Sequence, residues 1–160
     1  MPLCVAVTLV FIFSNSLQTG EQSSASSSEV VDIIQDSAQT IAPDSFVAKA
    51  EGEDYDLLHS IVRNIAHFSE FMLLGVFVAW TYFVYFKDKS FLLVAFMFLA
   101  CMPILDESIQ STVAGRGAEF TDVLIDTMGC FCGFLIGWVT QAIVRIIANK
   151  TAAKQTVKGE

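Results

Sequence analysis

Ionisable side chains interrupt two of the most apolar stretches of this chain, and their types suit acid–base chemistry. His67 and Glu70 lie three residues apart, so on a helix they share one face. Asp106 and Gln110 share a face through a spacing of four residues. Imidazole and carboxylate groups transfer protons or bind ligands, and inside apolar sequence they usually mark function. The candidate catalytic residues are therefore His67, Glu70, Asp106 and Glu107.

A second polar group follows in a short turn and at the start of the next apolar segment. On a helix, steps of three and four residues return to one face, and the residues so aligned are Asp122, Asp126, Gly129, Gly133 and Gly137. The three glycines predict a seam where another backbone comes close. Carboxylates above such a seam must face protein rather than lipid.

Candidate binding residues join both groups, and they are Gln110, Arg116, Asp122 and Asp126. The guanidinium fork of Arg116 suits an anionic phosphate. The acids could instead bind a divalent metal together with His67. A structural interpretation is also open, in which Asp122 is a first-turn helix acid that Arg116 neutralises. No serine or cysteine stands convincingly beside His67, so a covalent mechanism is not expected.

The composition that must position these groups is that of an integral membrane protein. The chain has 160 residues, enough for one domain, of which 54% are hydrophobic, and its mean hydropathy is +0.58. Net charge is −8, and residues 14–66 hold nine acids against two bases. This acidic balance argues against a nucleic-acid partner. Four cysteines lie in apolar segments and are interpreted as packing residues.

Four apolar segments predict an all-α bundle of about four transmembrane helices in the lipid bilayer. They are residues 1–17, 68–86, 91–105 and 123–148. The first is interpreted as a span rather than a removable signal peptide, since no basic residue opens it and no clear cleavage site follows. Pro103 predicts a break near the far end of the third span.

The segment between the first two spans is predicted to be a serine-rich outer loop with amphipathic helices. A short amphipathic helix that lies on the membrane surface is predicted from the spacing of Val30, Val31, Ile33, Ile34 and Ala38, and Pro43 interrupts it. Residues 55–66 are helical in pattern and lead without a breaker into the second span.

Basic residues predict the orientation of the spans. They cluster between the second and third spans and after the fourth, at Lys87, Lys89, Arg145, Lys150, Lys154 and Lys158. By the positive-inside rule both clusters are cytoplasmic, as are both termini. The acidic loop and the 106–121 turn then face outward. We divide the chain into a membrane domain, residues 1–148, and a basic cytoplasmic tail, residues 149–160.

Several separated stretches of the chain, in order, resemble the VanZ-like family of bacterial membrane proteins. They are FSNSLQTGEQSSASS, RNIAHFSEF, DESIQ and AGRGAEFTDVLIDTMGCFCG. The family pattern matches at His67, Glu70, Asp106, Glu107, Gln110, Arg116, Asp122 and Gly129. It departs at Asn64, Phe71, Ala114 and Asp126, where lysine, tyrosine, proline and asparagine are usual.

The resemblance implies a multi-pass protein of the bacterial cell envelope, linked to low-level resistance to the glycopeptide teicoplanin. Two functions follow as alternatives. In the first, an outward-facing polar pocket binds a lipid headgroup or a glycopeptide-related ligand. In the second, the chain is an intramembrane enzyme that acts on a lipid-linked envelope molecule, with His67 as acid or base. Neither a cofactor nor an oligomeric state is indicated.

Overall fold

The computed structural model describes residues 1–86 and 88–158, and for residues 152–158 it describes the backbone alone. The helices are α1 (Pro2–Ser16), α2 (Gly20–Ile41), α3 (Glu53–Thr81), α4 (Lys89–Gln110) and α5 (Phe120–Lys158). A 3₁₀ turn lies at Val47–Lys49, and a π-helical turn at Tyr82–Phe86 extends α3. These described residues contain no strand, and the predicted all-α class is confirmed.

Three of these helices are long and apolar enough to cross a membrane: α3 with its π-helical turn, α4, and α5 as far as Thr151. The pair of α1 and α2 passes the same test jointly, but the two helices are bent by 106° at their junction. The prediction of about four transmembrane helices is therefore confirmed, with three helices that could each cross a membrane and a fourth crossing if the bent pair counts as one span.

The α2 helix is longer than the short helix that the sequence predicts. It begins with a capping box, in which Gln22 N–H donates to Thr19 Oγ1 at 3.3 Å and Thr19 N–H donates to Gln22 Oε1 at 3.0 Å. The helix ends at Ile41, just before Pro43. Val31 is only 1% exposed, so one face of α2 packs on protein.

The predicted break at Pro103 is wrong, because α4 continues through this residue to Gln110. Proline removes one backbone hydrogen bond from a helix interior, and membrane helices tolerate that loss where neighbours pack around it. Pro103 is buried, with Leu99 one turn before it. At the end of the chain, α5 likewise continues across residues 148 and 149 without interruption.

The glycine seam of α5 packs directly on the backbone of α3. A Cβ atom on Gly129 would lie 2.5 Å from the Phe68 carbonyl oxygen, and one on Gly137 would lie 2.7 Å from Ala79 Cβ. The later glycine of α5 meets the later residue of α3, so the two helices run parallel. This contact aligns the turns of α3 and α5 that carry the polar residues.

The opposite end of the bundle is aromatic. Phe134 of α5 packs against Phe96 of α4, with ring centroids 4.9 Å apart, and against the π-helical turn. Arg145 donates to the carbonyl oxygen of Phe83 in that turn at 3.0 Å. A π-helical turn leaves backbone groups short of partners, and Arg145 satisfies one of them.

Candidate functional site

Asp106 lies at the centre of the polar end and is fully buried. It accepts hydrogen bonds from the Ser16 hydroxyl and from Gln110 Nε2, the latter at 2.6 Å. Gln110 lies one turn later on the same face of α4, as its spacing predicts. Ser16 is the last residue of α1, so Asp106 joins α1 to α4.

Glu70 is held by the same end of α1. Asn15 Nδ2 donates to Glu70 Oε1 at 2.8 Å. This contact joins α1 to α3 one helical turn below His67. Neither Asn15 nor Ser16 was predicted, because the contacts of both depend on where α1 ends in space.

Asp122 forms an ion pair with Arg63 of α3, with Arg63 Nη2 3.1 Å from Asp122 Oδ2. Asp122 lies in the first turn of α5, as its sequence position suggests. The structural alternative considered from the sequence has Arg116 as the partner of Asp122, whereas the structure pairs Asp122 with Arg63. Arg63 is not among the residues predicted for the site. Its position four residues before His67, and thus on the same helix face, is the signal in the sequence that would have identified it.

Arg116, in the turn before α5, binds neutral groups. Its Nη1 donates to the carbonyl oxygens of Asn15 and Ser16 at 3.3 and 3.4 Å, and its Nη2 donates to Ser23 Oγ at 3.4 Å. The carbonyls at a helix end lack intrahelical partners, and the guanidinium supplies them. Burial lowers the pKa of Arg116, and the positive charge of Arg63 lowers it further. An anion beside it would therefore be favoured.

His67 and Asp126 face each other across the top of the α3–α5 seam. His67 Nδ1 lies 3.7 Å from Asp126 Oδ1. Ligand-type atoms of His67, Asp106 and Asp126 all lie within 4.8 Å of one another. In the described part of the chain, His67 Nδ1 and both Asp126 oxygens have no hydrogen-bond partner.

Glu107 lies outside this cluster of His67, Asp106 and Asp126. Its Oε1 accepts a hydrogen bond from Glu119 N–H at 2.5 Å. Glu119 immediately precedes α5, so the carboxylate lies at the positive end of that helix dipole. The contact favours a positioning role for Glu107 at the start of α5.

A polar cavity of about 160 Å³ lies above these groups. Its walls come from α1, α2, α3 and the turn before α5: Asn15, Ser16, Gln18, Ser23, Ser26, Ser27, Arg63, Ala66, His67, Glu70 and Arg116. A second polar cavity of about 150 Å³ adjoins it and shares Ser23, Arg63 and Arg116. The serine-rich stretch that the sequence suggests is a loop thus forms one wall of the site.

A bundle of helices that are long and apolar enough to cross a membrane is the architecture of an integral membrane protein. The chain matches the VanZ/LLP1 family over residues 2–143 and belongs to that family. A search of curated proteins and a search of solved structures each found no match.

Proposed function

We propose that this protein is a multi-pass protein of the bacterial cell envelope whose outward-facing polar cavity binds the anionic headgroup of a lipid. The observation that carries the proposal is the pair of arginines in the cavity wall. Within the described part of the chain, Arg116 hydrogen-bonds only to neutral oxygens, and Arg63 forms an ion pair with one carboxylate. A phosphate group would supply the negative charge that both guanidinium groups can still bind.

The rest of the cavity wall supports the same ligand chemistry. Ser23, Ser26 and Ser27 present hydroxyl groups from α2, and Gln18 presents an amide. Hydroxyl and amide N–H groups donate hydrogen bonds to phosphate oxygens. Arg116 lies in the turn before α5, Gln18 in the turn between α1 and α2, and the serines on α2, so a bound phosphate would be held from several sides.

The size of the cavity favours a headgroup over an entire glycopeptide. Its volume of about 160 Å³ is below the roughly 300–1,000 Å³ of sites that enclose drug-sized ligands. A phosphate with its first ester group fits this space, whereas a glycopeptide would reach it only with a small anionic part. We propose that any effect on teicoplanin resistance depends on this headgroup binding.

The proposed orientation rests on charge and helix direction. The helices α3 and α5 run parallel and α4 connects them in the opposite direction, and the residues that line the cavity all lie at one end of the bundle. Lys89, Arg145 and Lys150 lie toward the other end. With these basic residues in the cytoplasm, the cavity opens toward the outer leaflet.

The test is a lipid titration of the purified chain in an uncharged maltoside detergent. Short-chain phosphatidylglycerol should bind more tightly than phosphatidylcholine, and Arg116→Gln should weaken that binding by about tenfold, the effect of one lost charge-assisted contact. Arg145→Gln is the matched control, since Arg145 lies at the opposite end of α5 and should bind like wild type. Equal losses in both variants, or no preference for the anionic lipid, would contradict the proposal.

A second function, an intramembrane enzyme acting on a lipid-linked envelope molecule, is favoured by one observation. His67 lines the cavity and also lies 3.7 Å from Asp126, so an acid–base group and a carboxylate meet beside the proposed phosphate site. Release of phosphate from a lipid-linked substrate by wild type, and its loss in His67→Ala, would favour this function over binding alone.

A further inference from the structure

Below the cavity, three side chains from three helices converge. We propose that His67 of α3, Asp106 of α4 and Asp126 of α5 bind one divalent transition-metal ion. The proposal goes beyond headgroup binding and does not rest on it, since these ligands are distinct from the arginines that would hold the phosphate.

The burial of Asp126 is the first reason to expect a metal ion. Its side chain is fully buried, and neither of its oxygens has a hydrogen-bond partner among the residues that the structure describes. A buried carboxylate without partners is strongly unfavourable, so such groups are normally paired or coordinate a metal. Among the described residues, His67 is the partner that could form an ion pair with Asp126. It carries the opposite charge only when its imidazole is protonated.

The distances between the three side chains are the second reason to expect a metal ion. His67 Nδ1 and Asp126 Oδ1 are 3.7 Å apart, which is too long for a hydrogen bond. Two ligand atoms on one zinc ion, each about 2.0–2.2 Å from it, lie roughly 3–4 Å apart. All three candidate ligand atoms lie within 4.8 Å of one another, so binding requires them to close by about 1 Å.

Asp106 is already oriented as a metal ligand would be. The Ser16 hydroxyl and Gln110 Nε2 each donate to one of its oxygens. Hydrogen bonds of this kind fix the direction of a ligating carboxylate, and each oxygen retains a second lone pair for an ion.

The ligand types select among ions. One imidazole and two carboxylates suit Zn²⁺ or Mn²⁺, whereas Ca²⁺ prefers six to eight oxygen ligands. Because His67 also lines the cavity, the remaining coordination positions can be reached by water or by a bound phosphate oxygen.

The primary experiment measures metal on the full chain without added lipid. Protein purified in maltoside and stripped with a chelator is dialysed against Zn²⁺ or Mn²⁺, and bound metal is quantified by mass spectrometry. Wild type should bind about one ion per chain, while His67→Ala and Asp126→Asn should lose at least tenfold in affinity. Asp44→Asn, which removes an exposed carboxylate far from the cluster, should bind like wild type.

Measuring the Tm with and without Zn²⁺ tests the proposal even if one variant folds poorly. Added Zn²⁺ should raise the Tm of wild type by several degrees. Without metal, Asp126→Asn should unfold no earlier than wild type, since an amide is cheaper to bury than a carboxylate, but Zn²⁺ should leave its Tm unchanged. The proposal is overturned if stripped wild type binds no stoichiometric ion, or if Asp126→Asn binds and responds like wild type. Neither result depends on the phosphatidylglycerol titration.

Discussion

Arg63 and Asp122 form an ion pair in which the Asp122 side chain is 7% exposed and that of Arg63 33%. Removing one partner of such a pair leaves the other charge without compensation in a poorly hydrated place. The pair also ties the middle of α3 to the first turn of α5, and His67 and Asp126 each lie one turn further along these two helices.

Asp122→Ala should therefore lower the free energy of unfolding by about 2 kcal/mol. Removing one partner of a fully buried ion pair costs more, because here the remaining Arg63 is still partly hydrated. The free energy of unfolding can be measured by titration with sodium dodecyl sulfate in mixed micelles. The control is Asp44→Ala, which removes the exposed partner of Lys49 and should cost less than about 0.5 kcal/mol. Equal costs for the two variants would contradict this assignment.

At the scale of the elements, the contact between α3 and α5 depends on glycine. A Cβ atom on Gly133 would run into the backbone of Met72, and one on Gly75 into the backbone of Cys130 and Phe134. Backbone atoms cannot move aside as a flexible side chain can. The two helices must therefore separate if either glycine acquires a side chain.

Gly133→Ala is accordingly expected to cost about 2 kcal/mol or more in the same unfolding titration. Gly117→Ala is the matched control, because a Cβ atom there meets nothing within 4 Å, and its cost should stay within about 0.5 kcal/mol. A Gly133 variant as stable as the Gly117 variant would show that the helices do not pack at the observed distance.

For the whole molecule, the proposed orientation places the polar cavity on the cell exterior and the basic residues inside. In a version without native cysteines, Asp44→Cys should react with a membrane-impermeant maleimide in intact cells. Lys150→Cys should react only after the membrane is permeabilised, since α5 would carry it into the cytoplasm. Labelling of Lys150→Cys alone in intact cells would reverse the topology and exclude an outward-facing cavity.

The helical class and the seam could be predicted from the sequence because both are local patterns. Long apolar runs predict spans, and the spacing of Asp126, Gly129 and Gly133 places them on one face whatever the neighbours are. The Thr19-x-x-Gln22 pattern was also local, and it would have indicated the start of α2.

The remaining site contacts could not be predicted, because they depend on tertiary geometry. Asn15 meets Glu70 and Ser16 meets Asp106 only because α1 ends beside both helices and turns by 106° into α2. No periodicity encodes that bend. The ion pair of Arg63 with Asp122, rather than Arg116 with Asp122, likewise depends on the parallel register of α3 and α5.

Only the first residue of α2 packs as the glycine seam does, with Gly20 against the backbone of Gly115, and the rest of this helix is attached differently. Its links to the rest of the bundle include Ser23 with Arg116, Ser24 with His59, and Asp32 with Tyr55. Each of these hydrogen bonds can be exchanged for one to water at a net cost of only about 0.5–1.5 kcal/mol. We therefore expect the segment of α2 that begins at Ser23 to separate from the bundle at a lower free energy than α3 from α5, and such a separation would enlarge the cavity.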